Sequence, residues 1–454
     1  MNSPVQVREQ QSIPFERIVG AGLSAADVAV ARRAVSEKGR QLRAELGLRS
    51  DALVVTDAAD GLRLEVRGIA GSVRLGATSL DIRPKHVLDE AEPWQAALLF
   101  MLERASKRRL SFHRTTSLSL SSGRTFADRL AMGYAMELED ATRHAEVRSY
   151  RGTRTELAHV RGRILMTEQL RSSLTKPHRV ICEVDTLSAD NPVNRLLHWA
   201  AARLDAVATD PLVRRRLSVA AGRLPAVTPS AALPTQLTFQ LPRQYHHYRG
   251  AVELATAFAR GMTTVYGASD VGGAGFVVGT ERLYESFLEA SLLRAAHLAG
   301  PDWSVVPQLR ESFARPVKTG HGRPYFSSPD NVVRHRGVVE LIIDAKYKRF
   351  VEATDRMAQD RPSNADLYQM VAACVAHRCK TALLVYPSQL QGGSQDDLAI
   401  EWCPRWWRVP LPGGGDARIG AVAIPLTWLS EPDGVESFDA RLRGLMTHSA
   451  GAVR

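Results

Sequence analysis

Apolar and polar residues alternate in three short runs near the start of the chain: Ala52-Leu53-Val54-Val55-Thr56, Leu62-Arg63-Leu64-Glu65-Val66-Arg67 and Ser72-Val73-Arg74-Leu75. A period of two marks a strand with one buried face. Asp60-Gly61 and Gly71, which separate the runs, read as hairpin turns. Ahead of them, Ser24-Ala25-Ala26-Asp27 has the form of a capped helix start, and the helix runs on to Glu37. Leu80-Asp81-Ile82-Arg83-Pro84-Lys85 ends the strand-rich region. The apolar stretch 93–103, with Pro93 near its first turn, then predicts a helix.

From Arg151 to about Arg260 the pattern becomes largely helical. The clearest element is 192–204, amphipathic and preceded by an Asp190-Asn191 cap. The Ala- and Pro-rich stretch 224–234 predicts a loop, and 270–275 a flexible connection. Beyond it, helical and strand periods alternate: a helix over 283–293, a strand near 303–309, strands at 331–333 and 338–345, a helix over 365–376 and a strand over 381–387. The expected fold class is α/β in the broad, multidomain α+β sense. It comprises a strand-rich domain over 1–150, a helical middle region over 151–275, and a mixed sheet flanked by helices over 276–454.

Composition narrows the setting. The chain has 454 residues, 44% of them hydrophobic and 24% charged, which is ordinary for a globular protein with two or three domains. Lys and Arg number 59 against 48 acidic residues, a net charge of +11 that favours an anionic partner such as nucleic acid. The cysteines, Cys182, Cys374, Cys379 and Cys403, form no C-x-x-C pair, which argues against a zinc framework or a disulfide scaffold. No signal-like core and no membrane-length apolar run is present, so a cytoplasmic location is expected. The glycines at 272, 273 and 275 are too irregularly placed for a phosphate loop, and no Walker lysine motif occurs. Any nucleotide hydrolysis would therefore belong to a partner.

The candidate chemistry lies in Ser328-Pro329-Asp330 and in Val338-Val339-Glu340-Leu341-Ile342-Ile343-Asp344-Ala345-Lys346. Two carboxylates and an ammonium suit metal-dependent phosphodiester hydrolysis. Asp330 and Asp344 would hold a hard cation through oxygen, and Lys346 would orient a water or offset phosphoryl charge. Asp344 and Lys346, two apart on a strand, share a face. Arg334-His335-Arg336-Gly337 reads as the turn between the two strands. A symmetric two-residue turn there would pair Asp330 with Leu341 and put it on the wrong face, so the reading requires an odd-length or bulged connection. The bland alternative is a surface hairpin carrying an ion pair.

The element order and these residues resemble the PD-(D/E)xK nucleases. More narrowly they resemble the McrC family, the nuclease subunits of McrBC restriction systems for modified DNA. The likeness rests on Leu283-Tyr284-Glu285, Pro329-Asp330, Asp344-Ala345-Lys346-Tyr347 and Asp366-Leu367-Tyr368-Gln369-Met370. It extends to Arg161-Gly162-Arg163-Ile164, Asp190-Asn191-Pro192-Val193-Asn194-Arg195 and Ile82-Arg83-Pro84-Lys85. One departure is Ala373, where family helices often carry a Tyr four residues after the Gln. The resemblance implies a Mg²⁺- or Mn²⁺-dependent endonuclease with Asp330, Asp344 and Glu285 at the metal, and Lys346 and Gln369 in the catalytic set. It implies double-stranded, modified DNA as substrate and a AAA+ NTPase of the McrB type as partner, engaged and stimulated by the strand-rich N-terminal region.

Several residues admit two readings. Glu285 either completes the metal shell or is a solvated helix carboxylate. Asp366 and Gln369 share a helix face and either point into the site, or Asp366 caps the helix. Tyr347, Lys348 and Arg349 are either DNA contacts or a solvated strand end. His246, His247 and His297 lack metal-ligand spacing. Trp402, Trp406 and Trp407, with Arg405 and Arg408, form either core or a stacking platform for bases. Arg161, Arg163 and Arg195 pair with carboxylates such as Glu183 and Asp185, or bind phosphate. Two further functions compete with a nuclease subunit. One is a non-catalytic adaptor that activates a AAA+ motor, against which the intact Asp330, Asp344 and Lys346 argue. The other is a stand-alone repair or recombination nuclease, against which the long N-terminal region argues.

Overall fold

The computed structural model describes residues 4–451 apart from 88–93, 106–124, 230–238, 266–274, 318–321, 349–360, 389–401, 430–433 and a few shorter stretches. The predicted connection at 270–274 and Arg349 lie outside the described residues. The chain forms two compact units, residues 1–126 together with 263–454, and residues 127–262.

In the first unit the N-terminal runs form strands, as their alternation predicts. Leu53–Ala58, Gly61–Val66 and Ser12–Pro14 make a three-stranded sheet with Gly61–Val66 in the centre. A second sheet of five strands has the order Val5–Arg8, Thr78–Arg83, Ile69–Leu75, Gly275–Gly279, Thr263–Val265. Its last two strands come from beyond residue 260, so this sheet is closed by chain far from the N-terminus. Gly71 marks the crossing: its φ is +123°, and a Cβ there would lie 2.2 Å from the carbonyl oxygen of Phe276. Helix Ala25–Leu46, capped by the Ser24 hydroxyl, packs over these sheets through Val35 and Leu42. Ile13, Leu53, Leu64, Ile82 and Val277 fill the core beneath it.

The six-stranded sheet of the same unit has the order Trp303–Pro307, Asn331–His335, Val338–Ala345, Thr381–Pro387, Asp416–Ile424, Arg405–Pro410. Val338–Ala345, Thr381–Pro387 and Asp416–Ile424 run parallel to one another, and the remaining pairings are antiparallel. The central strands read as continuous apolar runs because both faces are covered. Helix Asn364–His377 places Met370 and Cys374 against Ile342, Ala382 and Leu384. The two C-terminal strands were not anticipated from the sequence.

The second unit carries helices Pro192–Val207, Pro211–Ala221 and Arg249–Gly261. The middle region, expected to be largely helical, also carries a three-stranded sheet. Ser149–Leu157 and Val180–Ser188 pair antiparallel along their whole lengths, with Arg163–Ile164 added at the other edge of Val180–Ser188. Thr153, Thr155, Val180, Ile181, Val184 and Thr186 are β-branched, which favours the extended chain over a helix. Asn191 caps helix Pro192–Val207 through Asn194 N–H at 3.0 Å.

Candidate active site

The site is built at one end of the Val338–Ala345 strand. Its turn to Asn331–His335 is centred on Arg336 and Gly337, with φ of +51° and +83°, a left-handed pair that closes a tight hairpin. His335 pairs with Val338 and Arg334 with Val339, but Val333 pairs with Leu341. The extra residue, Glu340, is the bulge that the nuclease reading required. Beyond it, Asn331 faces Ile343, and one step further along that register Asp330 faces Asp344. Residues directly opposite in an antiparallel pair share a face, so Asp330, Asp344 and Lys346 lie on one side of the sheet.

The side chains confirm the grouping. Asp330 Oδ2 accepts from the Ala345 N–H at 2.8 Å. Lys346 Nζ forms an ion pair with Asp344 Oδ2 at 2.5 Å. Lys346 Nζ donates to Gln369 Oε1 at 2.8 Å, and Gln369 Nε2 reaches Asp344 Oδ1 at 3.5 Å. Gln369 arrives from helix Asn364–His377, which begins at Ser363. The Ser363 hydroxyl accepts from the Asp366 N–H, so Ser363, not Asp366, caps this helix. Asp366 is buried and receives the Tyr386 hydroxyl at 3.1 Å and the Lys348 ammonium at 2.6 Å. These bonds hold its carboxyl below its usual pKa against the opposing effect of burial.

Charge at the site is unbalanced toward the negative. Burial, followed by the charge of Asp344, pushes the Asp330 carboxyl up to about 7. Glu285, on helix Thr280–Ala299, is also raised, first by burial and then by Glu281 and Asp344. Glu285 therefore lies within the field of the site but makes no hydrogen bond to Asp330 or Asp344. Among the described residues no three His, Cys, Asp or Glu side chains converge on a common point. What converges is a pair of carboxylates, Asp330 and Asp344. A hard divalent cation such as Mg²⁺ fits that donor set, because it takes one or two carboxylates and fills its remaining positions with water and phosphate oxygen.

A buried knot directly behind Lys346 escaped the sequence reading. The Tyr347 hydroxyl donates to Glu9 Oε2 at 3.0 Å, the Thr280 hydroxyl to Glu9 Oε1 at 3.0 Å and the Lys85 N–H to Glu9 Oε2 at 3.2 Å. The Lys85 ammonium stands 4.4 Å from the centre of the Tyr347 ring, and His86 meets that ring edge-on. Burial raises the Glu9 carboxyl and lowers the His86 imidazole to about 3. The only signals in the sequence were Lys85 and Tyr347, each in a separate motif.

The other candidates resolve individually. Arg163 pairs with Glu183 at 3.0 Å, and Arg195 grips Asp190 at 2.6 and 2.8 Å, holding that carboxyl well below its usual range. His247 accepts from or donates to no metal-like cluster; its Nε2 lies 3.2 Å from the Ala145 carbonyl. Trp402 is buried, and Trp406 and Trp407 are half-buried on the sheet-edge strand, Trp406 stacking on Arg418. Ala373 is buried and lines a cavity of about 160 Å³ with Phe313, Phe326, Pro329 and Gln369.

A family model described as McrBC 5-methylcytosine restriction system component matches residues 64–387. The chain belongs to this family. The fold agrees with a chain of the refined half-complex of Thermococcus gammatolerans McrB AAA+ hexamers with bound McrC, at 18% identity and a TM-score of 0.65. That alignment covers 98% of this chain and 100% of the other. A chain of the Thermococcus gammatolerans McrBC complex aligns over 64% of this chain at 20% identity, with a TM-score of 0.45. No curated protein matches the sequence. No helix among the described residues is long and apolar enough to cross a membrane.

Proposed function

We propose that this chain is the McrC-type endonuclease subunit of a McrBC-like restriction system, acting on double-stranded, modified DNA with a McrB-type AAA+ NTPase. The observation that carries the reading is the convergence of Asp330, Asp344 and Lys346 at one strand end, produced by the Glu340 bulge. On this reading the six-stranded sheet with its helices is a PD-(D/E)xK nuclease domain. The family membership and the shared fold support it.

Asp330 and Asp344 would hold Mg²⁺, or Mn²⁺, against the scissile phosphate. A bound divalent cation supplies a polarised phosphoryl oxygen and a more acidic water. Burial, and then repulsion from the neighbouring Asp344 carboxylate, drive Asp330 toward its protonated form, and a bound cation would offset both. Lys346, aimed by Gln369 Oε1, is placed to orient the attacking water or to offset charge building on the phosphoryl oxygens. Glu285 senses the same field and would act through water rather than by direct ligation.

The test is a metal titration of DNA cleavage by the assembled complex. Cleavage should require Mg²⁺ or Mn²⁺ and stop on chelation with EDTA, while Ca²⁺ should support DNA binding without cutting. Cleavage that survives exhaustive chelation contradicts the reading. An adaptor without catalysis would show no cleavage with any metal, yet would still stimulate the motor.

A further inference from the structure

The carboxylate pair is flanked by a two-stranded ribbon that the mechanism does not use. Glu311–Ala314 pairs antiparallel with Tyr325–Ser327, with an irregularity at Phe313. The ribbon stands outside the six-stranded sheet but is anchored to the active site at its base. The Gln308 N–H donates to the Asp330 carbonyl at 3.0 Å, and the Ser328 hydroxyl donates to the Gln308 carbonyl at 3.1 Å. One face of the ribbon rests on the Gln369 helix over the small cavity already described.

Its other surfaces are unusual for a solvent-facing hairpin. Phe313 and Phe326 are each 45% exposed, Tyr325 is 74% exposed and Val317 fully so. Arg310, Arg315 and Arg323 are all exposed. The Arg310 guanidinium carbon lies 3.8 Å from the centre of the Phe326 ring, and Arg315 donates to the Ser312 hydroxyl at 3.4 Å. Among the described residues none of the three forms an ion pair with a carboxylate. Glu311 is the one acid in the described part of this segment.

We infer that this ribbon is a DNA clamp that holds the duplex beside the scissile phosphate. The inference rests on the nuclease reading, because that reading brings a phosphate to Asp330. Ser327 precedes Asp330 by three residues, which at strand spacing is roughly 10 Å. One strand of duplex advances ~3.4 Å per nucleotide, so the base of the ribbon lies about three nucleotides from the cut. Unpaired arginines fix a duplex through its backbone without reading sequence. A two-stranded ribbon fits the major groove, and exposed Phe, Tyr and Val side chains fill it or press on the sugars. A protein partner would be expected to meet carboxylates as well as arginines on this face, and the charge is one-sided.

The experiment uses the full chain and a fluorescent 30-base-pair duplex, with Ca²⁺ present, in 50 to 300 mM KCl. The triple variant Arg310→Ala/Arg315→Ala/Arg323→Ala should bind at least about tenfold more weakly at 100 mM salt. Its slope of log affinity against log salt should be shallower by roughly 2 to 3, since each lost phosphate contact removes about 0.9. Tyr325→Ala should weaken binding without changing the slope, which separates groove contact from phosphate contact. With the AAA+ partner and Mg²⁺, the triple variant should raise KM at least about fivefold, keep kcat within about twofold, and leave NTP turnover unchanged. An unchanged affinity and slope overturns the clamp, as does wild-type protein with no duplex binding at 50 mM salt. Loss of motor stimulation with duplex binding intact overturns it in favour of a motor-facing ribbon. Asp344→Ala, run alongside, keeps the two readings apart: cleavage by that variant sinks the nuclease assignment, while the salt slopes still decide the clamp.

Discussion

At the scale of single residues, Asp330 carries the most testable property of the site. Its carboxyl is raised from the ordinary range to about 7 by burial and by Asp344. Between roughly pH 4 and 7 the folded protein therefore holds a proton at Asp330 that the unfolded chain releases, and the contribution of Asp330 to stability falls as pH rises through that window. Asp330→Asn should remove this component, so the difference in melting temperature between variant and wild type should move in the variant's favour from pH 4.5 to 7.5. Adding Mg²⁺ at pH 7.5 should raise the wild-type melting temperature and leave that of the variant unmoved. A parallel pH course for the two proteins would contradict the raised Asp330 carboxyl. Gln369 offers a cleaner separation of chemistry from stability, because it is exposed while its amide aims Lys346. Gln369→Ala should leave the melting temperature within a degree or two and lower kcat by about ten- to a hundredfold, the range for losing a residue that orients a group at a metal site. Rate loss in proportion to unfolding would instead make Gln369 structural. The residues of the site were legible in the sequence because each is a polar exception in an apolar run: Asp344 and Lys346 at the end of Leu341-Ile342-Ile343, and Gln369 beside Met370. Glu9 was not legible. It is an ordinary acid in sequence, and its partner Tyr347 lies 338 residues away.

At the scale of elements, the Glu340 bulge and helix Asn364–His377 position the chemistry. The bulge could be required by parity but not located, since Arg334-His335-Arg336-Gly337 permits more than one turn centre. The structure places the turn at Arg336 and Gly337 and the extra residue four positions before Asp344. The helix was anticipated over nearly its full length, because Ser363 caps it and its apolar residues recur at helical spacing. Met370 is fully buried against Ile342 and Leu384, so Met370→Ala should destabilise the unit by about 2–5 kcal/mol. That loss is read by chemical denaturation, and a change below about 1 kcal/mol would mean the helix is not seated on this sheet as described. The Tyr347 knot fastens the same strand from behind. Tyr347→Phe keeps the ring against Lys85 and His86 but strips one donor from buried Glu9, and should cost about 1–3 kcal/mol. The sheet in the second unit was missed because Ser149–Leu157 is mostly exposed and polar, while Val180–Ser188 buries only Ile181, Cys182 and Val184, which do not alternate cleanly with polar residues.

At the scale of the molecule, the N-terminal sheets and the six-stranded sheet belong to one compact unit, and residues 127–262 form the other. The expected boundary near residue 150 followed changes in local period. No local signal could show that Gly275–Gly279 returns to pair with Ile69–Leu75. One consequence is practical: a fragment ending near residue 150 lacks two strands of its own sheet, so the division of labour must be read in the full chain. On the proposed function, Asp330, Asp344 and Lys346 cut DNA while a different surface of the same protein drives a AAA+ partner. The direct measurement assays full-length Asp344→Ala and Lys346→Ala, each assembled with a McrB-type partner, for DNA cleavage and for NTP turnover in the same reaction. Cleavage should fall by at least about a thousandfold, the scale of losing metal or proton-transfer chemistry, with NTP turnover at the wild-type level. Cleavage persisting at the wild-type rate in either variant would contradict the assignment of the site.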